Sequence, residues 1–183
     1  MQRSCMNLKE HYQKNVVLQL MKEGGYKNIN AVPKIVKVAV HVGFGKISNE
    51  PKIKEIIEAN LKRITGQKPV LTAAKKSISN FKVRAGQIIG AKVTLRGARM
   101  YDFLTKLINI TLPRVRDFRG LPMKSLDHQG NLTIGFKEHI AFPEIRSDEV
   151  ERLHGLEITV VSNAKNCETA EHLFKLLGFP FSK

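Results

Sequence analysis

The chain has 183 residues, of which 31 are Lys or Arg and 16 are Asp or Glu, giving a formal net charge of +15. This length suits one domain that buries roughly 70% of its unfolded surface, so the fold needs no disulfide framework. The two cysteines, Cys5 and Cys167, have no Cys-x-x-Cys spacing, which argues against a zinc site and favours a reducing compartment. No segment approaches the roughly 18 uncharged apolar residues of a spanning helix, so a membrane partner is disfavoured.

The first predicted elements are a helix, a strand and a second helix. Apolar residues at every fourth position over residues 8–20 predict an amphipathic helix, which a glycine pair ends. Over residues 35–43 the period changes to two, which indicates a strand buried on one side. The residues expected on its buried face are Val36, Val38, Val40 and Val42. Pro51 suits a first helical turn, and an apolar stripe over residues 53–64 predicts a helix that a glycine closes.

The later periodic segments are four strands and two helices. The strands are predicted at residues 70–74, 88–96, 131–137 and 156–161. The helices are predicted at residues 100–108, ended by Pro113, and at residues 170–177. A basic segment separates the second and third strands, and a proline-containing excursion separates the last two.

The central order of elements is therefore β-α-β-β-α-β, preceded by a helix and followed by a strand and a helix. This is the split-βαβ pattern of ferredoxin-like and RNA-recognition folds. It predicts an α+β fold with an antiparallel sheet of about five strands and helices on one face. No linker rich in Gly, Ser or Pro interrupts it, so residues 1–183 are expected to form a single domain with a basic protruding loop at about residues 75–87.

The positive charge is unevenly distributed along the chain. Residues 1–126 hold 25 Lys or Arg against 7 Asp or Glu, a balance of +18, and residues 127–183 hold 6 against 9, a balance of −3. From Ala59 to Tyr101 there are 10 Lys or Arg and no acid in 43 residues. Solubilising charge mixes both signs, so this stretch indicates a polyphosphate partner, with nucleic acid favoured.

The outward face of the predicted sheet is basic and hydroxylated and carries no aromatic side chain. Its expected members are Lys37, His41, Lys92, Thr94, Arg96, Thr133, Lys137 and Thr159. Such a face offers donors to phosphates and ribose hydroxyls rather than rings for stacking, which favours recognition of structured RNA by shape. The alternative is an ordinary half-exposed sheet, which also places Lys and Thr outward.

The segment 75–87, KKSISNFKVRAGQ, is too long for a tight hairpin and is expected to protrude as a basic loop. Its candidate phosphate contacts are Lys75, Lys76, Lys82 and Arg84, and its candidate orienting groups are Ser77, Ser79 and Asn80. Phe81 has two interpretations, stacking on a base or anchoring the loop to the domain, and anchoring is favoured. A solvated loop is the alternative for the whole segment.

A second basic segment, PRVRDFRGL at residues 113–121, holds three arginines around one acid. The candidate RNA contacts are Arg114, Arg116 and Arg119, because guanidinium groups bind phosphate in a bidentate manner. Asp117 is positioned to hold one of them in a local ion pair. An equally supported alternative is a charged connector pinned by Phe118 and Leu121.

Signals for an enzyme are weak. The turn at residues 43–46, GFGK, lacks the complete pattern of either glycine-rich phosphate-binding motif, so a sharp turn at a strand end is favoured. The six histidines show no metal-ligand spacing. His41 as the general base of an RNase is one alternative, but a donor to phosphate or ribose is favoured. We therefore expect no enzymatic activity, no cofactor and no metal.

Longer motifs carry a family resemblance over almost the whole chain. They are LKRITGQKPVLTAAKKSISNFKVRAGQIIGAKVTLRGARMYDFL, LPRVRDFRGL, IAFPEI, LEITVVSNAK and a terminal GFPF. Together they closely resemble the large-subunit ribosomal protein five family of bacterial type. The resemblance implies a structural protein of the large ribosomal subunit that binds 5S rRNA and neighbouring rRNA and helps attach 5S rRNA in the central protuberance. It also implies contacts with peptidyl-site tRNA and with a small-subunit head protein, in cytoplasmic ribosomes or in those of an organelle.

The resemblance also assigns residues. Gln67 and Thr94 match 5S rRNA contacts of the family, which Lys37, Lys92 and Arg96 would supplement with charge. His41 stands where the family usually has Asn, so the RNA group that it meets is left open. The loop matches the tRNA-facing loop of the family, and its candidate contacts are Lys75, Lys76, Ser77, Asn80, Lys82 and Arg84.

Acidic residues in the last excursion are candidates for the contact with the small-subunit head protein. They are Glu144, Asp148 and Glu149, and a solvated acidic surface is the alternative. Two rivals to a ribosomal role are an RNA-processing enzyme and a free RNA chaperone. The enzyme would lose turnover when His41 is replaced, and the chaperone would not cosediment stoichiometrically with large subunits.

Overall fold

The structure is a computed structural model that describes residues 7–45, 52–145 and 153–182. Its strands are β1 (Ile35–Gly43), β2 (Val70–Ala73), β3 (Ile88–Leu95), β4 (Leu132–Phe136) and β5 (Leu156–Ser162). They form one antiparallel sheet in the order β2-β3-β1-β5-β4. The α+β class is therefore confirmed, and the last strand lies inside the sheet, between β1 and β4.

Within the described ranges, four helical segments accompany the sheet. Helix α1 consists of Leu8–His11, a π turn at Tyr12–Val16 and Val17–Gly24, and helix α2 is Ile53–Thr65. Helix α3 consists of Gly97–Lys106, a π turn at Leu107–Thr111 and Leu112–Arg114, and helix α4 is Cys167–Leu176. Short 3-10 turns occur at Ile29–Ala31, Ser79–Phe81, Met123–Ser125 and His139–Ala141. The β-α-β-β-α-β order predicted from periodicity is confirmed. No helix in the described ranges is long and apolar enough to cross a membrane.

The chain divides into two compact units. The first unit is Met1–Val38, Leu95–Ile134 and Thr159–Lys183, and the second unit is Ala39–Thr94 and Gly135–Ile158. Strands β1, β3, β4 and β5 contribute residues to both units. The expectation of a single domain over residues 1–183 stays a prediction.

The core of the first unit is formed by apolar helix faces. Helix α1 buries Val16 and Leu20, and helix α4 buries Leu173 and Phe174. The Tyr12 hydroxyl donates to the Pro33 carbonyl at 3.0 Å, and desolvation, together with the neighbouring Tyr101, raises the pKa of Tyr12 to about 12. The Tyr12 side chain therefore fixes α1 against the segment that leads into β1.

Two local predictions in the first unit need correction. Val36 was expected on the buried face of β1, but it is exposed, because the buried positions at the start of this strand are Ile35 and Val38. Pro113 was expected to end the third helix, yet the helix runs one residue further, to Arg114. Proline has no amide hydrogen but keeps helical φ, so one residue can follow it before the helix ends.

The core of the second unit combines strand and helix residues. Val40 and Val42 of β1, Ala91 and Val93 of β3, and Ile57 of α2 are at most 1% exposed. The C-cap of α2 is Gly66, which takes the left-handed conformation that the sequence predicted for the helix end. Pro51 lies outside the described residues. Within this unit the alternation of buried and exposed residues leaves one face of β1 and β3 open to solvent.

Candidate nucleic-acid interface

The exposed face of β1 and β3 in the second unit carries the polar residues predicted for it. His41 and Lys92 are exposed and Thr94 is half-buried. The residues that alternate with them along the two strands are buried, namely Val40, Val42, Ala91 and Val93. Strand β2 pairs with β3 in antiparallel register, with Val70 opposite Lys92. Because paired residues share a face, the sheet edge presents an exposed valine beside this lysine.

A glycine lies at the centre of this face. Gly90 pairs with Thr72, and a Cβ at position 90 would lie 2.8 Å from Thr72 Oγ1 and 3.3 Å from His41 Nε2. Hence the hydroxyl of Thr72 and the imidazole of His41 both extend over Gly90 from neighbouring strands. Sequence reasoning missed Thr72, and the available signal was a glycine inside a strand, which often marks a close approach.

Gln67 and Thr94 are brought together in the second unit. Gln67 follows the C-cap of α2, where its backbone N–H donates to Thr65 Oγ1 at 3.3 Å. Its side-chain Nε2 donates to the Thr94 carbonyl at 3.4 Å. The two uncharged residues that the family resemblance singled out are therefore neighbours, although they are 27 positions apart in sequence.

The other predicted members of the outward face are distributed over both units. In the first unit Lys37 is half-buried on β1, and Arg96 is exposed at the N-cap of α3. Also in the first unit, the hydroxyls of Thr133 and Thr159 lie 3.5 Å apart on β4 and β5. Lys137 is exposed in the second unit.

One acid was not expected on the outward face. Glu157 is exposed on β5 in the second unit, where it alternates with the buried Leu156 and Ile158. The face is therefore not uniformly cationic. In sequence, Glu157 is one of the nine acids of residues 127–183, and only its alternation along β5 places it on this face.

The basic segment between β2 and β3 forms an ordered loop. Ala74 N–H donates to the Gln87 carbonyl at 2.8 Å, which extends the hairpin by one pair. Further out, Ile78 and Val83 pair in both directions, at 2.9 and 3.2 Å, and enclose a four-residue tip. Residues 75–82 are all exposed, and a basic loop that protrudes at about residues 75–87 stays a prediction.

Side chains of the loop divide into internal and external groups. Ser77 Oγ accepts from Ala85 N–H at 2.9 Å, and Gln87 Oε1 accepts from Arg84 N–H at 3.0 Å, so both stabilise the loop itself. The exposed side chains with polar or charged ends are Lys75, Lys76, Ser79, Asn80, Lys82 and Arg84. The loop thus presents four cations on a backbone fixed by hydrogen bonds.

Phe81 is exposed at the tip of this loop. Its exposed fraction is 70%, so the favoured interpretation, that it anchors the loop to the domain, is wrong. The reason is the turn itself, because Ser79–Phe81 forms a 3-10 turn and Lys82 has a positive φ of 52°. Phe81 borders a groove of about 740 Å³ that continues to Gly45 and Ile89.

The arginine segment lies in the first unit. Arg114, Arg116 and Arg119 are all exposed, and no ion pair joins them to Asp117 within the part of the chain that the structure describes. Leu121 is buried and its N–H donates to the Pro180 carbonyl at 2.7 Å. The segment is therefore pinned at Leu121 and presents three exposed guanidinium groups, and their contact with RNA stays a prediction.

The excursion between β4 and β5 contains a buried histidine pair in the second unit. The rings of His139 and His154 stack in parallel with centroids 3.9 Å apart. Asn60 Nδ2 lies 3.3 Å from His154 Nε2. Burial lowers the pKa of His139, and burial together with the neighbouring His139 lowers the pKa of His154 to about 4. Both rings are therefore neutral at pH 7.

The acidic candidates are only partly described. Glu144 is half-buried, whereas Asp148 and Glu149 lie outside the described residues.

The glycine turn after β1 is described only to Gly45. There Phe44 is buried and its N–H donates to the Ile89 carbonyl at 2.9 Å, which continues the pairing of β1 with β3. Among the described residues, no three His, Cys, Asp or Glu side chains are grouped as metal ligands would be.

Comparisons with known proteins are consistent along the chain. Residues 28–84 match the family model of ribosomal protein L5, and residues 88–181 match the model of the C-terminus of the same ribosomal protein family. The large ribosomal subunit protein uL5 of Halothermothrix orenii is 53% identical over 176 residues, which cover 96% of this chain and 98% of the relative. The uL5 protein of Fervidobacterium nodosum is 54% identical over 179 residues, covering 96% of each chain. That of Thermotoga maritima is 53% identical over 176 residues, again covering 96% of each.

Proposed function

The chain belongs to the ribosomal protein L5 family, and we propose that it binds 5S rRNA and helps attach it in the central protuberance of the large ribosomal subunit. As a member of this family the chain is a structural component of the large ribosomal subunit and not an enzyme. The predicted ribosomal identity is therefore confirmed. The RNA and protein contacts below belong to the proposal, as does a place in cytoplasmic ribosomes, which the bacterial relatives favour.

The observation that carries the 5S rRNA proposal is the pairing of Gln67 with Thr94 beside exposed cations. Gln67 Nε2 is occupied by the Thr94 carbonyl, which leaves its Oε1 to accept from an RNA hydroxyl or amino group. Lys92 lies two residues from Thr94 on the same face of β3 and offers a point charge for phosphate. Uncharged groups of fixed orientation supply specificity, and the lysine supplies salt-sensitive attraction. His41, Lys37 and Arg96 are further proposed contacts, and Arg114, Arg116 and Arg119 are proposed for neighbouring rRNA.

The test is binding of the full chain to 5S rRNA at several salt concentrations. Lys92→Ala should flatten the slope of log affinity against log salt by roughly one unit, whereas Thr94→Ala should weaken binding with little change in slope. Lys14→Ala, which removes an exposed lysine on α1, is the matched control. Binding to 5S rRNA no tighter than to an unrelated structured RNA of equal length, at about 0.2 M salt, would exclude specific recognition.

We propose a separate role for the basic loop, which is contact with peptidyl-site tRNA. Its four exposed cations and its internal hydrogen bonds support this, because a pre-ordered loop loses little conformational entropy on binding. Neutralising Lys75, Lys76, Lys82 and Arg84 should leave 5S rRNA binding intact and weaken placement of peptidyl-site tRNA on ribosomes. Collapse of 5S rRNA binding in this variant would contradict the division of roles.

We also propose that the acidic excursion faces a basic protein of the small-subunit head. The balance of −3 over residues 127–183 supports it, since opposite charge steers such contacts. Reversing the charge of Glu144, Asp148 and Glu149 should reduce subunit joining at low magnesium in sucrose gradients. Glu10→Lys on α1 is the control. An unchanged gradient for the triple variant would favour a solvated acidic surface.

A further inference from the structure

The groove beside Phe81 combines apolar walls with cationic residues. Its lining carbon surface comes from Ala74, Ile78, Phe81, Val83 and Ile89. Its charged lining residues are Lys75, Lys76 and Lys82, and Asn80 adds an amide. Its volume of about 740 Å³ falls in the range, roughly 300–1,000 Å³, of clefts that bind small ligands.

Two apolar side chains stay exposed at this groove although the loop is ordered. Phe81 is 70% exposed and Ile78 is 47% exposed. A single exposed apolar residue needs no explanation, but a phenyl ring and an isoleucine that line one groove form a patch. The patch therefore marks a surface suited to covering by a partner.

The backbone holds these side chains in place. Both hydrogen bonds between Ile78 and Val83 close the tip, and Lys82 N–H donates to the Ser79 carbonyl at 2.9 Å within it. Ser77 Oγ accepts a hydrogen bond from Ala85 N–H, which links the two arms of the loop. A ring on such a turn loses little conformational entropy when a flat ligand stacks on it.

The chemistry of the lining identifies the class of partner. Lysines bind phosphates as point charges, an exposed phenyl ring stacks on any base, and an amide bonds to a base edge. An acidic peptide would satisfy the lysines but would bring no flat face for the ring. We propose that the groove binds one unstacked nucleobase of an RNA loop, with the base on Phe81 and its flanking phosphates on Lys75, Lys76 and Lys82. This inference rests on the proposed tRNA-facing role of the loop.

The proposal is tested by titrating the full chain into an RNA hairpin that carries 2-aminopurine in its loop. Stacking should quench the fluorescence of this base analogue. Phe81→Leu keeps an apolar side chain but removes the ring, so it should weaken binding about tenfold and abolish quenching, with the salt slope unchanged. Phe81→Tyr should retain both. Leu18→Ala, which truncates another exposed apolar residue, on α1, is the control and should change neither.

The outcomes separate this inference from the role of the loop. If Phe81→Leu binds and quenches as the unmodified chain does, while neutralising the three groove lysines weakens binding, the base-binding groove is wrong and the RNA-facing loop stands. If the lysine variant also binds normally, both are wrong. Binding of a fully paired duplex as tightly as the hairpin, or displacement of the hairpin by an acidic peptide of equal charge, would also overturn the base site. Normal 5S rRNA binding by Phe81→Leu shows that this variant is folded.

Discussion

Replacing Gly90 by alanine tests the close approach of three strands in the second unit. The new Cβ would lie 2.8 Å from Thr72 Oγ1, 3.1 Å from the Val42 carbonyl oxygen and 3.3 Å from His41 Nε2. The imidazole is the end of a flexible side chain, and the hydroxyl can rotate about one bond. The carbonyl belongs to β1 and moves only with the strand. We therefore expect the free energy of unfolding to fall by about 1–2 kcal/mol, within the range for an overpacked site.

The assay is equilibrium urea unfolding followed by circular dichroism, with a matched glycine as control. Gly135 lies in β4, and a Cβ there would meet no atom within 4 Å. Gly135→Ala should be neutral or stabilise by up to about 1 kcal/mol, because alanine reduces the conformational freedom of the unfolded chain.

Introducing Gly90→Ala into a chain that already carries Thr72→Ala separates the contact with the Thr72 hydroxyl from the contact with the Val42 carbonyl. Thr72→Ala removes the hydroxyl, so the cost of Gly90→Ala should shrink in that background without vanishing, since the Val42 carbonyl remains. An equal cost in both backgrounds would show that the hydroxyl contact is not the source of strain. Unfolding of Gly90→Ala at the urea concentration of the unmodified chain would refute the close approach altogether.

Three further perturbations have defined outcomes. Because burial lowers the pKa of His139 and holds that of His154 at about 4, the unfolded chain binds more protons below its histidine pKa of about 6.5. The contribution of the two neutral histidines to the free energy of unfolding should therefore be complete above about pH 6.5 and should be lost as the pH drops towards 4. Urea titrations at each pH measure this dependence, and His154→Gln should flatten it. Asn166→Ala removes the capping box of α4, and should cost about 1 kcal/mol in the same assay at pH 7. Tyr12→Phe removes the hydrogen bond to the Pro33 carbonyl and should also cost about 1 kcal/mol, and no change would mean that water replaces it.

Local periodicity predicted the elements because it is a property of neighbouring residues. The alternation at Val38, Val40 and Val42 identified β1, and the left-handed Gly66 ended α2 where expected. The position of β5 between β1 and β4 was not predictable from the order of elements, since pairing of distant strands depends on the whole sheet.

The parts of the site that escaped prediction depend on contacts between distant residues. Thr72 and His41 crowd the same space above Gly90 because of the strand register that places Thr72 opposite this glycine. The stack of His139 on His154 joins residues 15 positions apart, with no motif that marks the pair. Conversely, Phe81 was expected to anchor the loop to the domain, but it lies in the 3-10 turn at the tip of the loop, where its side chain is exposed.

The orientation of Gln67 makes a prediction about the kind of nucleic acid that the chain prefers. A carbonyl accepts but does not donate, so the Thr94 carbonyl fixes the amide nitrogen of Gln67 towards the protein. Within the described part of the chain no group donates to Gln67 Oε1, which is therefore available to accept from a partner. A ribose 2′-hydroxyl can donate to this oxygen, whereas deoxyribose has no such group.

We therefore expect the chain to bind 5S rRNA more tightly than a DNA of the same sequence, and Gln67→Ala to reduce this preference. Gln67→Glu keeps an acceptor but replaces the amide donor by a second acceptor that faces the Thr94 carbonyl, so it should also lose the preference. Lys92→Ala is the contrasting variant, because a phosphate contact is common to both nucleic acids and its loss should weaken RNA and DNA binding by the same factor. If Gln67→Ala instead weakened both equally, its oxygen would not be reading the 2′-hydroxyl. Its contribution would then be the stability of the turn that follows α2.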